Sequence, residues 1–149
     1  DYKMGTKRVG LARTQALIQG LKRELTMGTS VFRGRGFQAV STAVTAAAAG
    51  ADIPAGASHV TVTSGNANHW VNLPEPVVGN IINVFVGANG CELRTSAPAS
   101  IAINGGSGAG AESALPANSY SVMICTSATT WIGFEVAANG AVSAVEVAS

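Results

Sequence analysis

The segment NIINVFV, residues 80–86, is the most apolar strand candidate of the chain and lies within the stretch 70–131 that decides the fold. Around it, short extended segments are separated by prolines and by Asn-Gly pairs, such as those at 89–90 and 139–140. This order is typical of an antiparallel β domain, because Asn-Gly favours the tight turns that join hairpin strands. Residues 80–86 are therefore predicted to form a central strand, in a domain of eight or nine short strands.

The neighbouring segments continue this pattern on both sides. The segment SHVTVTS alternates between apolar and polar side chains, which places Val60 and Val62 on one face of a strand. Residues 120–125 and 130–136 are predicted to form a further hairpin, and Asn104 opens a glycine-rich loop that is predicted to be mobile. The predicted fold class is mainly β: an antiparallel β-sandwich or jelly-roll-like domain, preceded by one N-terminal amphipathic α-helix.

Residues 9–25, VGLARTQALIQGLKREL, change to a helical pattern in which apolar side chains recur on one side. The predicted helix is about 25 Å long, and its two interior glycines weaken it, so it has to pack against another surface. That surface is a bundle of identical helices, the chain's own β domain or a partner protein, and all three alternatives stay open. The apolar side chains expected to make this contact are Leu11, Leu17, Ile18, Leu21 and Leu25.

The charges of the chain are divided unevenly along its length. Residues 1–35 hold eight basic residues and two acids, a net charge of +6, whereas the remainder holds one arginine and six acids, a net charge of −5. A basic arm is typical of a segment that docks on an acidic protein surface or on nucleic acid, or of a solvated helix face. We therefore divide the chain into a basic arm with helix and hinge, residues 1–36, and a β-sandwich domain, residues 37–149. The residues expected to dock electrostatically are Lys7, Arg8, Arg13, Lys22, Arg23, Arg33 and Arg35.

The residue types that perform catalysis or bind metals form no recognisable pattern in this sequence. His59 and His69 have no further histidine, cysteine or carboxylate at metal-ligand spacing, and the acids occur singly. Ser107 lies in a glycine-rich loop that lacks the strand-turn-helix context and the downstream histidine of a hydrolase nucleophile. Cys91 and Cys125 are expected to be free buried thiols, although their spacing also permits a bridge. We predict no enzyme activity, no cofactor and no metal.

The few aromatic residues allow two interpretations. Trp70, Trp131, Phe85, Phe134 and Tyr120 either form a platform that binds sugars or anchor the core. Large aromatic side chains in an aromatic-poor β protein are more often core anchors, which is the interpretation that we favour.

Three blocks of the sequence resemble the β domains of bacteriophage virion proteins: VNLPEPVVGNIINVFVGANG, IAINGG and ALPANSYSVMICTSATTWIGF. Such domains occur in head-decoration proteins, head fibres and tail-fibre knobs, commonly as homotrimers. The N-terminal segment GTKRVGLARTQALIQGLKREL is similar to the opening of small particle proteins of marine phages, especially those that infect cyanobacteria. The resemblance covers residues 5–25 and 70–134 and brings no catalytic residues with it.

The resemblance implies a non-enzymatic structural protein of the virion, most simply a capsid decoration or cement protein. It would bind the assembled lattice of the major capsid protein as a homotrimer, through the basic arm and the apolar helix face, and stabilise the head. Its expected place is the capsid exterior, after assembly in the host cytoplasm. The alternative is a short head- or tail-fibre knob whose loops at 65–69 and 104–110 bind a host glycan or protein. Neither a membrane nor nucleic acid is an expected partner, because the chain has no apolar run of about 18 residues and the apolar helix face requires a protein.

Overall fold

The computed structural model describes residues 10–19 and 40–149. The chain divides into two compact units, Asp1–Gln38 and Ala39–Ser149. In the first unit, residues 10–19 form a helix (α1) in which every side chain from 11 to 19 is exposed. The Thr14 hydroxyl donates a hydrogen bond to the Gly10 carbonyl one turn earlier, at 2.9 Å. The predicted helix is therefore present over 10–19, and its remaining residues lie outside the described part of the chain.

The second unit is built from strands, which confirms the prediction of a mainly β protein. Valine, isoleucine and threonine recur in these segments and favour the extended backbone. The strands are β1 (Val40–Ala46), β2 (Ala51–Asp52), β3 (Ala57–Ser64), β4 (Trp70–Asn72), β5 (Ile81–Val86), β6 (Cys91–Arg94), β7 (Ala102–Ile103), β8 (Ser113–Leu115), β9 (Tyr120–Ser127), β10 (Thr130–Val136) and β11 (Val142–Ala144).

The strands form two sheets. The large sheet has the order β1-β3-β5-β9-β10-β11, with β7 also paired to β10, and the small sheet has the order β2-β4-β6-β8. From β1 to β6 the chain alternates between the sheets, so each strand lies beside the strand two places earlier and runs parallel to it. Each corner moves the chain from one sheet to the other. After two corners the chain is back in its first sheet and again runs in its original direction, so the two strands pair in parallel. Antiparallel pairs join β5 to β9, β9 to β10, β10 to β11 and β6 to β8.

The sheets are therefore mixed, whereas the sequence pattern predicted antiparallel pairing throughout. The difference comes from the turn at 89–90, which we expected to close a hairpin. Gly90 has a φ of 68° and permits a sharp turn, but this turn leads from β5 in the large sheet to β6 in the small sheet. The hairpin prediction was wrong here and correct for β9 with β10 and for β10 with β11. Strand β5 lies inside the large sheet, between β3 and β9, as predicted.

One hydrophobic core is shared by the inner faces of both sheets. Alternate side chains of each strand point into it, among them Val60 and Val62, which lie on one buried face as the sequence predicted. The largest fully buried side chain is Trp131 of β10. Because both sheets contribute their inner faces to the same core, their outer faces point in opposite directions, in a sandwich-like arrangement.

The start of the predicted mobile loop is in fact fixed by Asn104. Its side-chain amide donates hydrogen bonds to the Gly133 and Val145 carbonyls and accepts one from the Gly133 N–H at 2.9 Å. Asn104 directly follows β7, which is paired with β10. The β7 backbone ends at this point, and the Asn104 side chain makes the next hydrogen bonds to β10 in its place. The Asn104 side chain therefore anchors the start of this loop and replaces the missing strand, and the predicted mobility of the loop stays a prediction.

No helix within residues 10–19 or 40–149 is long and apolar enough to cross a membrane.

Candidate functional site

The outer face of the large sheet exposes large apolar side chains on adjacent strands. Inward-pointing residues alternate with these on β5 and β10, so the exposed set lies on one surface. We call this surface the apolar face. Its most exposed side chains keep between 38% and 68% of their surface in solvent: Ile81 50%, Phe85 38%, Ile132 48%, Phe134 41% and Val142 68%.

Strand register arranges the apolar face in rows that run across the sheet. Ile81 lies opposite Ile124, and Ile124 lies opposite Ile132, so three isoleucines form one straight row. Side chains directly opposite each other in neighbouring strands contact one another. The next row consists of Asn83, Val122 and Phe134. The row beyond it consists of Phe85, Tyr120, Val136 and Val142.

The apolar face carries no charge. Residues 40–149 contain seven charged side chains, yet Glu135 is the only one in a strand of the large sheet as the structure describes it. Glu135 lies between the outward-pointing Phe134 and Val136, so its own side chain turns to the opposite side, where it accepts a hydrogen bond from Ser143. The whole charge of the β unit is therefore kept off this face.

The apolar face matches in area the largest apolar patches of monomeric proteins. Aromatic side chains offer roughly 150–250 Å² each, and on that scale the five most exposed side chains together leave on the order of 450 Å² in water. The largest apolar patch of a monomer covers about 300–600 Å² and is often functional. Its area and lack of charge make the apolar face the strongest candidate for a functional surface in the β unit.

The residues predicted from the helix pattern are only partly described. Leu11, Leu17 and Ile18 belong to α1, and each exposes 60–69% of its surface, so the described helix presents apolar side chains to solvent. Arg13 is exposed on the same helix. The remaining predicted contact residues lie outside the described part of the chain: Leu21, Leu25, Lys7, Arg8, Lys22, Arg23, Arg33 and Arg35.

The aromatic residues divide between core and surface. Trp131 is a core anchor, as predicted, but Phe85, Phe134 and the half-buried Tyr120 lie on the apolar face, which corrects the core interpretation for those three. Trp70 is half-buried on the outer side of the small sheet. The sequence signal for the exposed phenylalanines was present in β5 and β10, where apolar residues occupy both alternating sets of positions. In the strands of an antiparallel sheet with one solvated face, apolar residues normally alternate with polar ones.

The cysteines and histidines do not form a reactive cluster. Cys91 and Cys125 are free and buried, which agrees with the expectation of free thiols. Burial, helped by the neighbouring Glu92, raises the pKa of the Cys91 thiol to about 12, and burial also raises the pKa of Cys125. Such thiols stay protonated and unreactive at neutral pH. In the described ranges, histidine, cysteine and acidic side chains form no group that would hold a metal ion.

Comparisons of this chain with protein-family models, with curated proteins and with solved structures found no match. The phage resemblance therefore remains a prediction from the sequence, and the surfaces described above provide the structural argument for a function.

Proposed function

We propose that this chain is a non-enzymatic structural protein of a bacteriophage particle, which assembles as a homotrimer and decorates the assembled head. The observation that supports this most strongly is the apolar face of the large sheet. An apolar patch of this size is often functional even in a monomer, and a subunit of an assembly buries such a face against its partners. The low charge of the chain, 11% of residues, agrees with a protein whose surface is largely covered by partners.

The apolar face is best suited to other copies of this chain. Residues 40–149 carry a net charge of −5, from one arginine and six acids, so two such units repel each other wherever their charges meet. The apolar face is the surface on which this repulsion is weakest. A partner that covers it must itself be apolar, and a second copy supplies a matching surface. Three large sheets, arranged as the sides of a prism, would bury their apolar faces around a common axis.

The size of the apolar face also agrees with this assembly. A standard interface buries about 800 Å² per partner, and the five most exposed side chains of the apolar face account for on the order of 450 Å² of it. The half-buried Val122, Ile124 and Tyr120 lie in the same rows and add to the contact. Interfaces of homo-oligomers are more apolar than other protein surfaces, as this one is.

The N-terminal arm is the proposed contact with the major capsid protein. Leu11, Leu17 and Ile18 are exposed on α1 and provide apolar contacts, while Arg13 belongs to the basic set that favours an acidic partner surface. Three arms in one trimer bind three neighbouring capsid subunits, so that each contact raises the effective concentration of the next. Because these contacts exist only on the assembled lattice, their binding energy stabilises the assembled head.

The first test is the solution mass of the purified chain by light scattering. We expect a trimer for the wild type and monomers for Ile132→Glu, because a carboxylate in the isoleucine row of the apolar face would be buried without a partner. Val78→Glu is the matched control, since Val78 is an exposed apolar residue in the loop before β5 and belongs to none of the three rows of the apolar face. A monomeric wild type, or a trimer that Ile132→Glu leaves intact, would contradict the proposal.

Attachment to the head is tested separately by sedimentation with empty phage heads. Ile18→Asp should leave the trimer intact and remove it from the head fraction, because a charged group then replaces an apolar contact of α1. Arg13→Glu should weaken attachment less, and its effect should shrink at high salt. Head binding that neither substitution changes would remove α1 from the proposed contact.

Host adhesion is the second candidate function. Of its two predicted loops, 65–69 is mostly exposed, whereas 104–110 is fixed at its start by Asn104. The observation that favours adhesion is a polar cavity on the outer side of the small sheet.

A further inference from the structure

The outer side of the small sheet contains a cavity of about 560 Å³. This volume lies within the range of about 300–1,000 Å³ that small-molecule sites have. The cavity and the apolar face lie on opposite sides of the core, because they belong to the outer faces of different sheets. Polar side chains on three adjacent strands share its lining with the apolar walls of Pro54, Pro74 and Pro98.

The polar side chains of the cavity form one row across the sheet. Asp52 of β2 lies opposite Asn72 of β4, and Asn72 lies opposite Arg94 of β6. The Asn72 side-chain N–H donates a hydrogen bond to Asp52 Oδ1 at 2.8 Å. This bond leaves the second oxygen of Asp52 and the amide oxygen of Asn72 as acceptors, beside the remaining donors of the Arg94 guanidinium.

Arg94 is held in position by two neighbours. Its Nε and Nη2 both donate to Glu112 Oε2, the former at 2.9 Å, and its guanidinium carbon lies 3.9 Å from the centre of the Trp70 ring. The Trp70 indole in turn lies against Gly50, where an added Cβ would come within 2.4 Å of Trp70 Nε1. A donor fixed in this way loses little conformational entropy when a ligand binds.

We propose that this cavity binds an uncharged, hydroxyl-rich ring, that is, a neutral carbohydrate. A hydroxyl group both donates and accepts hydrogen bonds, so vicinal hydroxyls can donate to Asp52 and Asn72 and accept from Arg94. The C–H faces of a sugar ring are apolar and fit the proline walls. All the residues of the site come from one chain, so the site goes beyond the proposed assembly function and does not depend on it.

The charges of the cavity select against anionic ligands. Asp52 and Glu75 in the lining repel an anionic sugar. Glu112 neutralises Arg94, so this arginine is a hydrogen-bond donor here and not an uncompensated positive charge that would attract an anion. A neutral ring can use the donors and acceptors of this row without meeting a like charge.

The test is a ligand-observed NMR titration of the full chain with single sugars. The neutral probes are the methyl glycosides of glucose, galactose, mannose and N-acetylglucosamine, and the anionic comparator is N-acetylneuraminic acid. We expect saturable binding of at least one neutral probe with a Kd in the millimolar range, as is usual for a ligand of this size. N-acetylneuraminic acid should bind more weakly.

Two substitutions assign the binding to the cavity. Asn72→Ala and Asp52→Asn should each weaken binding about tenfold or more, because each changes a hydrogen-bond partner of the ligand. Asn139→Ala is the matched control, since Asn139 is an exposed asparagine in the turn between β10 and β11, outside the cavity, and it should leave the Kd unchanged. Circular dichroism of each variant confirms that the protein is folded.

Three results would overturn the site: a folded wild type that binds no neutral probe, tighter binding of N-acetylneuraminic acid than of the neutral probes, or an equal loss in Asn139→Ala and Asn72→Ala. The solution mass of the same samples separates this outcome from that of the proposed function. A trimer that binds no sugar rejects the cavity alone, and a monomer that binds sugar supports the cavity and rejects the assembly.

Discussion

Replacing Asn104 by alanine should strongly destabilise the β unit, although Asn104 is only half-buried. The substitution removes three hydrogen bonds, two to Gly133 and one to Val145, each of which contributes about 0.5–1.5 kcal/mol. Asn104 also has a φ of 51°, and alanine tolerates this left-handed conformation less well, at a cost of about 1 kcal/mol. Together these effects predict a loss of about 3–5 kcal/mol in the free energy of unfolding.

Urea denaturation followed by circular dichroism measures this loss. Asn139→Ala is the matched control, because Asn139 accepts a single hydrogen bond from the Ala141 N–H in an exposed turn, and its loss should stay below about 1 kcal/mol. Asn104→Asp keeps the size of the side chain but places a carboxylate against two carbonyl oxygens, so it should lose at least about 2 kcal/mol. Equal midpoints for Asn104→Ala and the wild type would refute the argument that this side chain replaces a missing strand.

Three further substitutions test the core, the C-terminal contact and a buried thiol. Trp131→Ala should cost about 3–5 kcal/mol of unfolding free energy, because it empties the largest buried position; a loss below about 1 kcal/mol in urea would contradict its role in the core. Gly106→Ala places a Cβ 2.0 Å from the Ala148 carbonyl oxygen, so it should lower the melting temperature, with a loss of about 1–3 kcal/mol, whereas Gly108→Ala meets only ordinary contacts and should not. Burial raises the pKa of Cys91 to about 12, against an ordinary value of 9.0. The stability that the buried thiol contributes below pH 9 is therefore lost as the pH rises towards 12. In urea denaturation, Cys91→Ala should lose less stability than the wild type over that window, and an identical pH dependence would count against the burial argument.

Local sequence patterns predicted the strands well, because they depend on interactions between neighbouring residues. The alternation that placed Val60 and Val62 on one face reflects the strand period of two, which any β-sheet obeys. The hairpins of β9 with β10 and of β10 with β11 were predicted for a similar reason. Because their turns are short, the following strand starts beside the preceding one and pairs with it.

Local patterns could not predict the winding of the first six strands between two sheets. A turn at Gly90 that closes a hairpin and one that leads to the other sheet use the same residue types. What distinguishes them is long-range: an added Cβ at Gly90 would lie 2.9 Å from the Leu115 carbonyl oxygen, so this corner packs against a segment more than twenty residues later. The cavity was missed for the same reason, because Asp52, Asn72 and Arg94 come together only when three turns of the chain are stacked.

The two sheets divide the charge of the β unit in a way that links both proposals. The strands of the small sheet contain Asp52, Glu92 and Arg94, whereas those of the large sheet contain Glu135 alone. Copies that meet through the apolar face therefore turn their charged sides outward. Within a single copy, burial and the nearby carboxylates of Glu112 and Glu146 already raise the pKa of Glu92. Like charges held apart in this way do not oppose the assembly.

This arrangement predicts that a trimer displays three cavities on its outside. A polymer that carries many copies of the bound neutral sugar should then retain the wild type at least about 100-fold more tightly than the Ile132→Glu monomer. The affinity of both proteins for the single sugar should be equal, because Ile132 lies on the opposite side of the core. Surface plasmon resonance on the immobilised polymer measures the first quantity, and the NMR titration measures the second. Equal retention of trimer and monomer on the polymer would mean that the three cavities are not displayed together, and that the large sheets do not meet as proposed.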